Sequence, residues 1–166
     1  MKIAIKEETV QKVLKIGRWV CLPLALALLV CQFIPFWTVN DKSISIAQYI
    51  WLPTYLKDVT KVFAAEYPEF ASMNAFGGAP LICLFGSGAV IFMTLFKKHL
   101  SIVFGGLLAL TGGAAISCVT IPVYHYLSNI LWLVQAIIGG VALVVGLAVM
   151  IAGIIELRVA ISKRTW

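Results

Sequence analysis

The sequence has few charged residues, and none of them lies in the middle of its long apolar runs. Charged residues make up 12% of the chain against 61% hydrophobic residues, and a soluble domain of this length needs far more polar surface. Ionisable groups buried in a membrane usually mark ion pathways and proton relays. Their scarcity here therefore argues against a transporter that is coupled to protons or sodium and works alone.

Cysteine is also scarce, and its distribution excludes a disulfide framework. The four cysteines all fall within apolar runs: Cys21, Cys31, Cys83 and Cys118. The most polar segment, residues 38–78, contains none, so no disulfide closes it. There is no Cys-x-x-Cys pair, and a neutral thiol in hydrocarbon is a poor nucleophile. We interpret these residues as small apolar side chains rather than redox or metal ligands.

The sequence lacks a recognisable catalytic or metal-binding constellation. Its clustered glycines lie in apolar segments with no following lysine, so they form no phosphate-binding loop. His125 has no second histidine and no carboxylate nearby, and we interpret it as a membrane-interface residue. We therefore expect no enzymatic activity, no cofactor and no metal. One enzyme alternative stays open, a small membrane enzyme that acts on lipid or quinone and depends on His125.

What the sequence does contain is four long apolar runs, and each is about as long as the ~20 residues that a helix needs to cross a bilayer. They cover residues 16–37, 79–96, 100–122 and 129–157. We predict an all-α integral membrane protein, a single domain over residues 1–166 built as a four-transmembrane-helix bundle. The first run ends without a small-residue cleavage site, so we expect a retained helix rather than a signal peptide.

The basic residues predict the orientation of this bundle. Ten of the thirteen flank the runs on one side: Lys2, Lys6, Lys12, Lys15, Arg18, Lys97, Lys98, Arg158, Lys163 and Arg164. Because basic residues are retained on the cytoplasmic side, we expect both termini to be cytoplasmic and residues 38–78 to lie outside. The net charge of +6 is then an orientation signal and a weak attraction to anionic lipid. We expect a multi-pass protein of the plasma or bacterial inner membrane, and no binding to nucleic acid.

The outer segment, residues 38–78, is predicted to form a small cap between the first two spans. Residues 43–46 alternate between serine and isoleucine after the pair Asn40-Asp41, which predicts a short β-hairpin. Leu56, Val59 and Phe63 then fall on one face of an amphipathic helix that ends at Pro68. A segment of this length is too long to be a mere connector, so the cap is the best candidate for function.

Small residues repeat along the third and fourth apolar runs. The predicted helix-packing residues are Gly106, Ala109 and Gly113 in the third run and Gly139, Ala142, Gly146 and Gly153 in the fourth, with Gly105 and Gly112 alongside. Small residues on one face let two helix backbones approach closely. We predict that these two helices pack on each other within one chain, and a seam between copies of the chain is the alternative. The fourth run exceeds the hydrocarbon thickness and should tilt or project into the cytoplasm.

Few polar residues remain inside the runs. Hydroxyl side chains there can return a hydrogen bond to their own helix, so we interpret them as structural. Gln135 is harder to satisfy alone, and we expect it to hydrogen bond to another helix. Alternatively, Thr111 and Gln135 would line a polar pathway.

The leading functional hypothesis is a non-enzymatic membrane protein whose cap acts as an interaction, assembly or accessory element. The expected partners are the lipid bilayer and either another membrane protein or a second copy of this chain. The predicted partner-binding residues of the cap are Trp37, Ile44, Ile46, Tyr49, Trp51, Leu56, Val59 and Phe63. Tryptophan and tyrosine are favoured anchors of protein interfaces. The alternative is an oligomeric channel or transport subunit in which the glycine stripes form the contacts between subunits.

Overall fold

The computed structural model describes residues 7–39, 42–45, 78–96, 100–126 and 130–164. Its described residues form four helices and two short strands. The helices are α1 (Glu7–Cys31), α2 (Gly78–Phe96), α3 (Ser101–Tyr126) and α4 (Ile130–Arg164), and the strands are β1 (Pro35–Val39) and β2 (Lys42–Ser45). Each helix overlaps one of the four apolar runs, because apolar side chains in these runs favour the backbone that satisfies its own hydrogen bonds.

The ends of the helices differ from the ends of the runs. Helix α1 stops at Cys31, not at residue 37, because the amides of Gln32, Phe33 and Ile34 bond to carbonyls three residues back and tighten the last turn. Pro35 then begins a strand. Helix α3 runs on to Tyr126, so His125 belongs to the last helical turn and not to an outer loop around residues 123–128. Helix α4 continues beyond residue 157 to Arg164.

Two short strands follow α1 directly. Strands β1 and β2 pair antiparallel, with Trp37 opposite Ile44 and Val39 opposite Lys42. The register shifts between Pro35 and Trp37, which is the mark of a bulge or irregularity. The turn residues Asn40 and Asp41, and the amphipathic helix predicted after Pro53, lie outside the described residues.

The four helices pack side by side around a common core. Helix α1 packs on α2 and α4, and α3 packs on the same two neighbours, while direct contact between α1 and α3 is slight. The α3–α4 contact is the most extensive one. Arg18, in the middle of α1, meets the end of α2. Gln11 meets Glu156, and Gly17, further along α1, meets Val149, earlier in α4. Helix α1 is therefore antiparallel to α4.

The core is apolar and dense. Phe104 and Leu108 of α3 and Leu28 of α1 are its largest apolar side chains, and all three are buried. The core also contains smaller residues: Cys21, Ala25, Cys83, Val90, Ala115, Ala142 and Val149. Small residues let the helix axes come close, so more atoms of the two helices touch. The dispersion energy increases with the number of these atom pairs.

Two of the four helices are long and apolar enough to cross a membrane by length and composition. These stretches are Glu7–Cys31 in α1 and Leu133–Ser162 in α4. The apolar stretches Leu81–Phe96 in α2 and Ser101–Ser117 in α3 are shorter.

Candidate functional site

Helices α3 and α4 approach each other closely through glycine. A Cβ added at Gly112 would lie 2.5 Å from the carbonyl oxygen of Gly139 and 2.6 Å from the amide nitrogen of Leu143. One step along, a Cβ added at Gly146 would lie 2.6 Å from the carbonyl oxygen of Gly105. Backbone atoms cannot move aside as flexible side chains can, so these positions tolerate no side chain without separating the helices.

The contact stripe on α3 differs from the predicted one by a rotation of the helix. It runs through Gly105, Ala109 and Gly112, whereas a Cβ at Gly113 would meet nothing within 4 Å and one at Gly106 would meet only the sulfur of Met150, at 3.4 Å. On α4, the predicted residues Gly139, Ala142, Gly146 and Gly153 are all buried. The glycine-lined contact therefore lies between two helices of one chain.

Hydroxyl side chains inside the helices bond back to their own backbone. Thr111 Oγ1 donates to the carbonyl of Leu107 at 2.7 Å, and Ser117 Oγ donates to the carbonyl of Gly113 at 2.9 Å. Ser87 donates in the same way to the carbonyl of Cys83. A Cβ added at Gly86 would lie 2.5 Å from Thr111 Oγ1, so Thr111 fills the contact between α2 and α3. It is buried there and does not line an open path.

Gln135 is a fully buried amide that lacks the expected bond to another helix. Neither its Oε1 nor its Nε2 atom has a hydrogen-bond partner among the described residues. Gln32, just after α1, is also fully buried; its Nε2 donates to the carbonyl of Leu28 at 3.0 Å, and its Oε1 has no described partner. A buried amide group without a partner costs free energy, so both glutamines are expected to lower the stability of the fold.

Helices α1 and α3 begin, and α2 and α4 end, at the end of the molecule away from Gln32 and Gln135. This end is called the basic end. Arg18 of α1 donates from Nε to the carbonyl of Thr94 at 2.7 Å, and its Nη2 lies 3.5 Å from the carbonyl oxygen of Leu95. The last carbonyls of a helix have no partner within the helix, so a cation placed there stabilises its end. In the sequence Arg18 is one of the ten basic residues that predict the orientation, and its contact with α2 is not predicted. Its signal in the sequence is a cation one turn inside an apolar run.

A groove opens at the basic end between α1, α3 and α4. It encloses about 940 Å³. Its polar lining residues are Glu8, Gln11, Lys12, Lys15, Arg18, Ser101 and Glu156, and its apolar ones include Leu14, Trp19, Ile102, Phe104, Gly153 and Leu157. The groove is made by residues of three helices that are far apart in the chain, and the sequence does not predict it. Among these residues, no group of three His, Cys, Asp or Glu side chains comes close enough to hold a metal ion.

The described residues hold only part of the predicted cap. Trp37 and Ile44 are Cα partners in the strand pair. The other predicted cap residues lie outside the described ranges: Ile46, Tyr49, Trp51, Leu56, Val59 and Phe63.

No protein-family model, characterised protein or solved structure matches this chain.

Proposed function

We propose that this chain is a non-enzymatic, multi-pass membrane protein that acts through an extracytoplasmic cap, as an interaction, assembly or accessory subunit. All four helices cross the bilayer as a bundle, with both termini on the cytoplasmic side. The cap covers residues 38–78, in which the β-hairpin precedes an amphipathic helix. The membrane is the plasma or bacterial inner membrane.

One observation carries the membrane placement: large apolar side chains are exposed on every helix. They include Ile16 and Trp19 on α1, Phe85 and Phe96 on α2, Val103 and Leu110 on α3, and Val144 and Ile151 on α4. Soluble monomers rarely expose apolar patches of this extent. Lipid tails cover such faces at no cost, while the small-residue contacts hold the helices together. At about 1.5 Å per residue, α4 is also longer than the ~30 Å of hydrocarbon, which suits a helix that tilts or projects.

The cap is the proposed functional element because it combines several aromatic side chains in one segment between two helices. Trp37 and Ile44, two of the predicted contact residues, are paired across the hairpin. Tyr49, Trp51 and Phe63 follow within the same segment of the sequence. Aromatic side chains supply a large contact area at low entropic cost, which is why they dominate binding energy at interfaces. The partner is another membrane protein or a second copy of the chain.

The channel alternative draws less support from the geometry. Its subunit contacts would use the glycine stripes, but Gly112 and Gly139 already approach each other within one chain. Its pathway would use Thr111 and Gln135, but both side chains are fully buried and neither lines the groove at the basic end.

The test is a comparison of native complexes. Wild-type protein and the double variant Trp51→Ala/Phe63→Ala are extracted into nanodiscs without overexpression, and the masses of the complexes are measured. Removing two anchors worth about 2 kcal/mol each should weaken association by a factor of at least ~30. Phe85→Ala, which removes an equally apolar ring from an exposed face of α2, is the control and should leave association unchanged.

Circular dichroism checks that each variant keeps its helices. The proposal fails if the folded double variant still associates as the wild type does. A discrete homo-oligomer would identify the partner as a second copy, and a foreign subunit would identify an accessory role.

A further inference from the structure

The groove at the basic end combines an apolar wall with a polar rim. Leu14, Ile102 and Phe104 contribute apolar surface, and Lys15 and Arg18 contribute positive charge. The proposed function places these helices across the bilayer. The groove then lies at the cytoplasmic boundary of the hydrocarbon layer. An occupant of such a groove must be apolar at one end and polar at the other.

The charges on the rim favour an anion. Three cations face two carboxylates: Lys12, Lys15 and Arg18 against Glu8 and Glu156. Each carboxylate already has a neighbour, since Glu8 lies 2.9 Å from Lys12 and Glu156 accepts a hydrogen bond from Gln11 at 2.8 Å. Arg18 donates to neutral carbonyls and Glu156 accepts from a neutral amide, so both keep their charge, and three cations against two carboxylates leave the rim with a net charge of +1. Lys15 has no ion pair or hydrogen bond within the described ranges.

A buried hydroxyl at the first turn of α3 is also available. Ser101 lines the groove, is only 7% exposed, and makes no hydrogen bond to any described residue. The amides of Val103 and Phe104 bond to the carbonyl of Leu100 at the start of this helix. The first amides of a helix have no partner within the helix itself, so an N-terminus beside a buried hydroxyl is suited to bind the oxygens of a phosphate group.

We propose that this groove binds the phosphate headgroup of an anionic phospholipid. Lys15 and Arg18 supply the positive field, Ser101 donates a hydrogen bond to a phosphate oxygen, and the acyl chains lie along the exposed apolar side of α1. That side is present beside the groove, because Trp19 is 71% exposed and Ile16 is 62% exposed. A free phosphate ion would use the polar rim and leave this apolar surface empty. The assignment rests on the proposed membrane placement.

The experiment is native mass spectrometry of the whole protein in nanodiscs of equal parts phosphatidylglycerol and phosphatidylcholine. The wild type should retain phosphatidylglycerol in preference to phosphatidylcholine. Lys15→Gln should weaken this retention about fivefold, as removal of one basic residue near a membrane surface does. Ser101→Ala should weaken it in the same direction. Arg158→Gln, which removes the same charge from an exposed site on α4 outside the groove, should change it less than twofold.

Three outcomes would overturn the proposal. If Lys15→Gln and Arg158→Gln reduce the retention of phosphatidylglycerol equally, the positive charge attracts lipid without a specific site. If the wild type retains both lipids equally, the groove has no preference for an anionic headgroup. Competition by millimolar inorganic phosphate would identify a free-anion site instead of a lipid site. Flotation with vesicles separates this inference from the proposed function: protein that floats but shows no lipid preference loses only the groove site, and protein that does not float loses the membrane placement as well.

Discussion

Gln11 and Glu156 are joined by a hydrogen bond of 2.8 Å from Nε2 to Oε1, although they lie at opposite ends of the sequence. Gln11 is in the second turn of α1 and Glu156 is near the end of α4. The bond fixes the level at which the two helices meet, and a second contact agrees with that register, since a Cβ at Gly17 would meet the side chain of Val149. The two contacts thus place the start of α1 beside the last third of α4.

The Gln11–Glu156 pair predicts a specific crosslink. With the native cysteines replaced by alanine, the pair Gln11→Cys/Glu156→Cys should become joined by a short bifunctional thiol reagent in most molecules. The pair Gln11→Cys/Arg158→Cys is the control, because two positions along a helix point about 200° apart. Mobility on denaturing gels measures the yield. Equal yields from the two pairs would show that α1 and α4 do not hold this register.

Alanine substitutions at the adjacent residues Gly112 and Gly113 of α3 should affect stability in different ways. Gly112→Ala should destabilise the protein by about 1–3 kcal/mol, because the added methyl group meets backbone atoms of α4. Gly113→Ala should be neutral or stabilise it by up to about 1 kcal/mol, because open space surrounds that position and alanine favours helix. Thermal unfolding in one detergent, followed by circular dichroism, compares the two. The α3–α4 contact described above is wrong if Gly113→Ala is the more damaging change.

Replacing the buried Gln135 of α4 with an apolar residue should stabilise the protein. Gln135→Leu should raise stability by about 1–3 kcal/mol, because it removes two buried polar atoms that have no described partner and keeps a similar volume. Gln32→Leu should gain less, since it also breaks the hydrogen bond from Nε2 to the carbonyl of Leu28. The same unfolding assay measures both. A large loss of stability in Gln135→Leu would mean that the amide has a partner, such as a bound water.

Removing the Arg18 side chain should destabilise the end of α2. Arg18→Gln should cost about 1.5–3 kcal/mol, because a charged donor is lost from the carbonyl of Thr94. Hydrogen exchange should rise in the last turn of α2 and stay unchanged in the middle of α3. Lys15→Gln removes an equal charge from the same face of α1 without a carbonyl contact and serves as the control. Identical exchange in both variants would mean that Arg18 does not stabilise the end of α2.

The sequence predicted the helices well because long apolar runs favour one backbone state wherever water is absent. It did not predict where α1 ends, since apolar residues continue through residue 37 and only Pro35 signals the change to a strand. The bounds of α3 and α4 were likewise too short, because helices continue past the apolar stretch when their polar ends can be solvated.

The rotation of α3 could not be read from the sequence. The stripes through Gly105 and Gly112 and through Gly106 and Gly113 have the same spacing and share Ala109, so composition does not choose between them. The choice depends on the shape of α4, where Gly139 and Gly146 receive the contact. The groove and the Arg18 contact escaped prediction for the same reason, because each is made by residues far apart in the chain.

The neighbour relation between α1 and α4 has a consequence for biosynthesis. A chain is made from its N-terminus, so α1, α2 and α3 exist before the helix that packs on both α1 and α3. Until α4 emerges, the small-residue face of α3 and the buried face of α1 have no neighbour on that side. A chain that ends before residue 130 would therefore lack the helix that packs on both α1 and α3, and those two faces would stay uncovered.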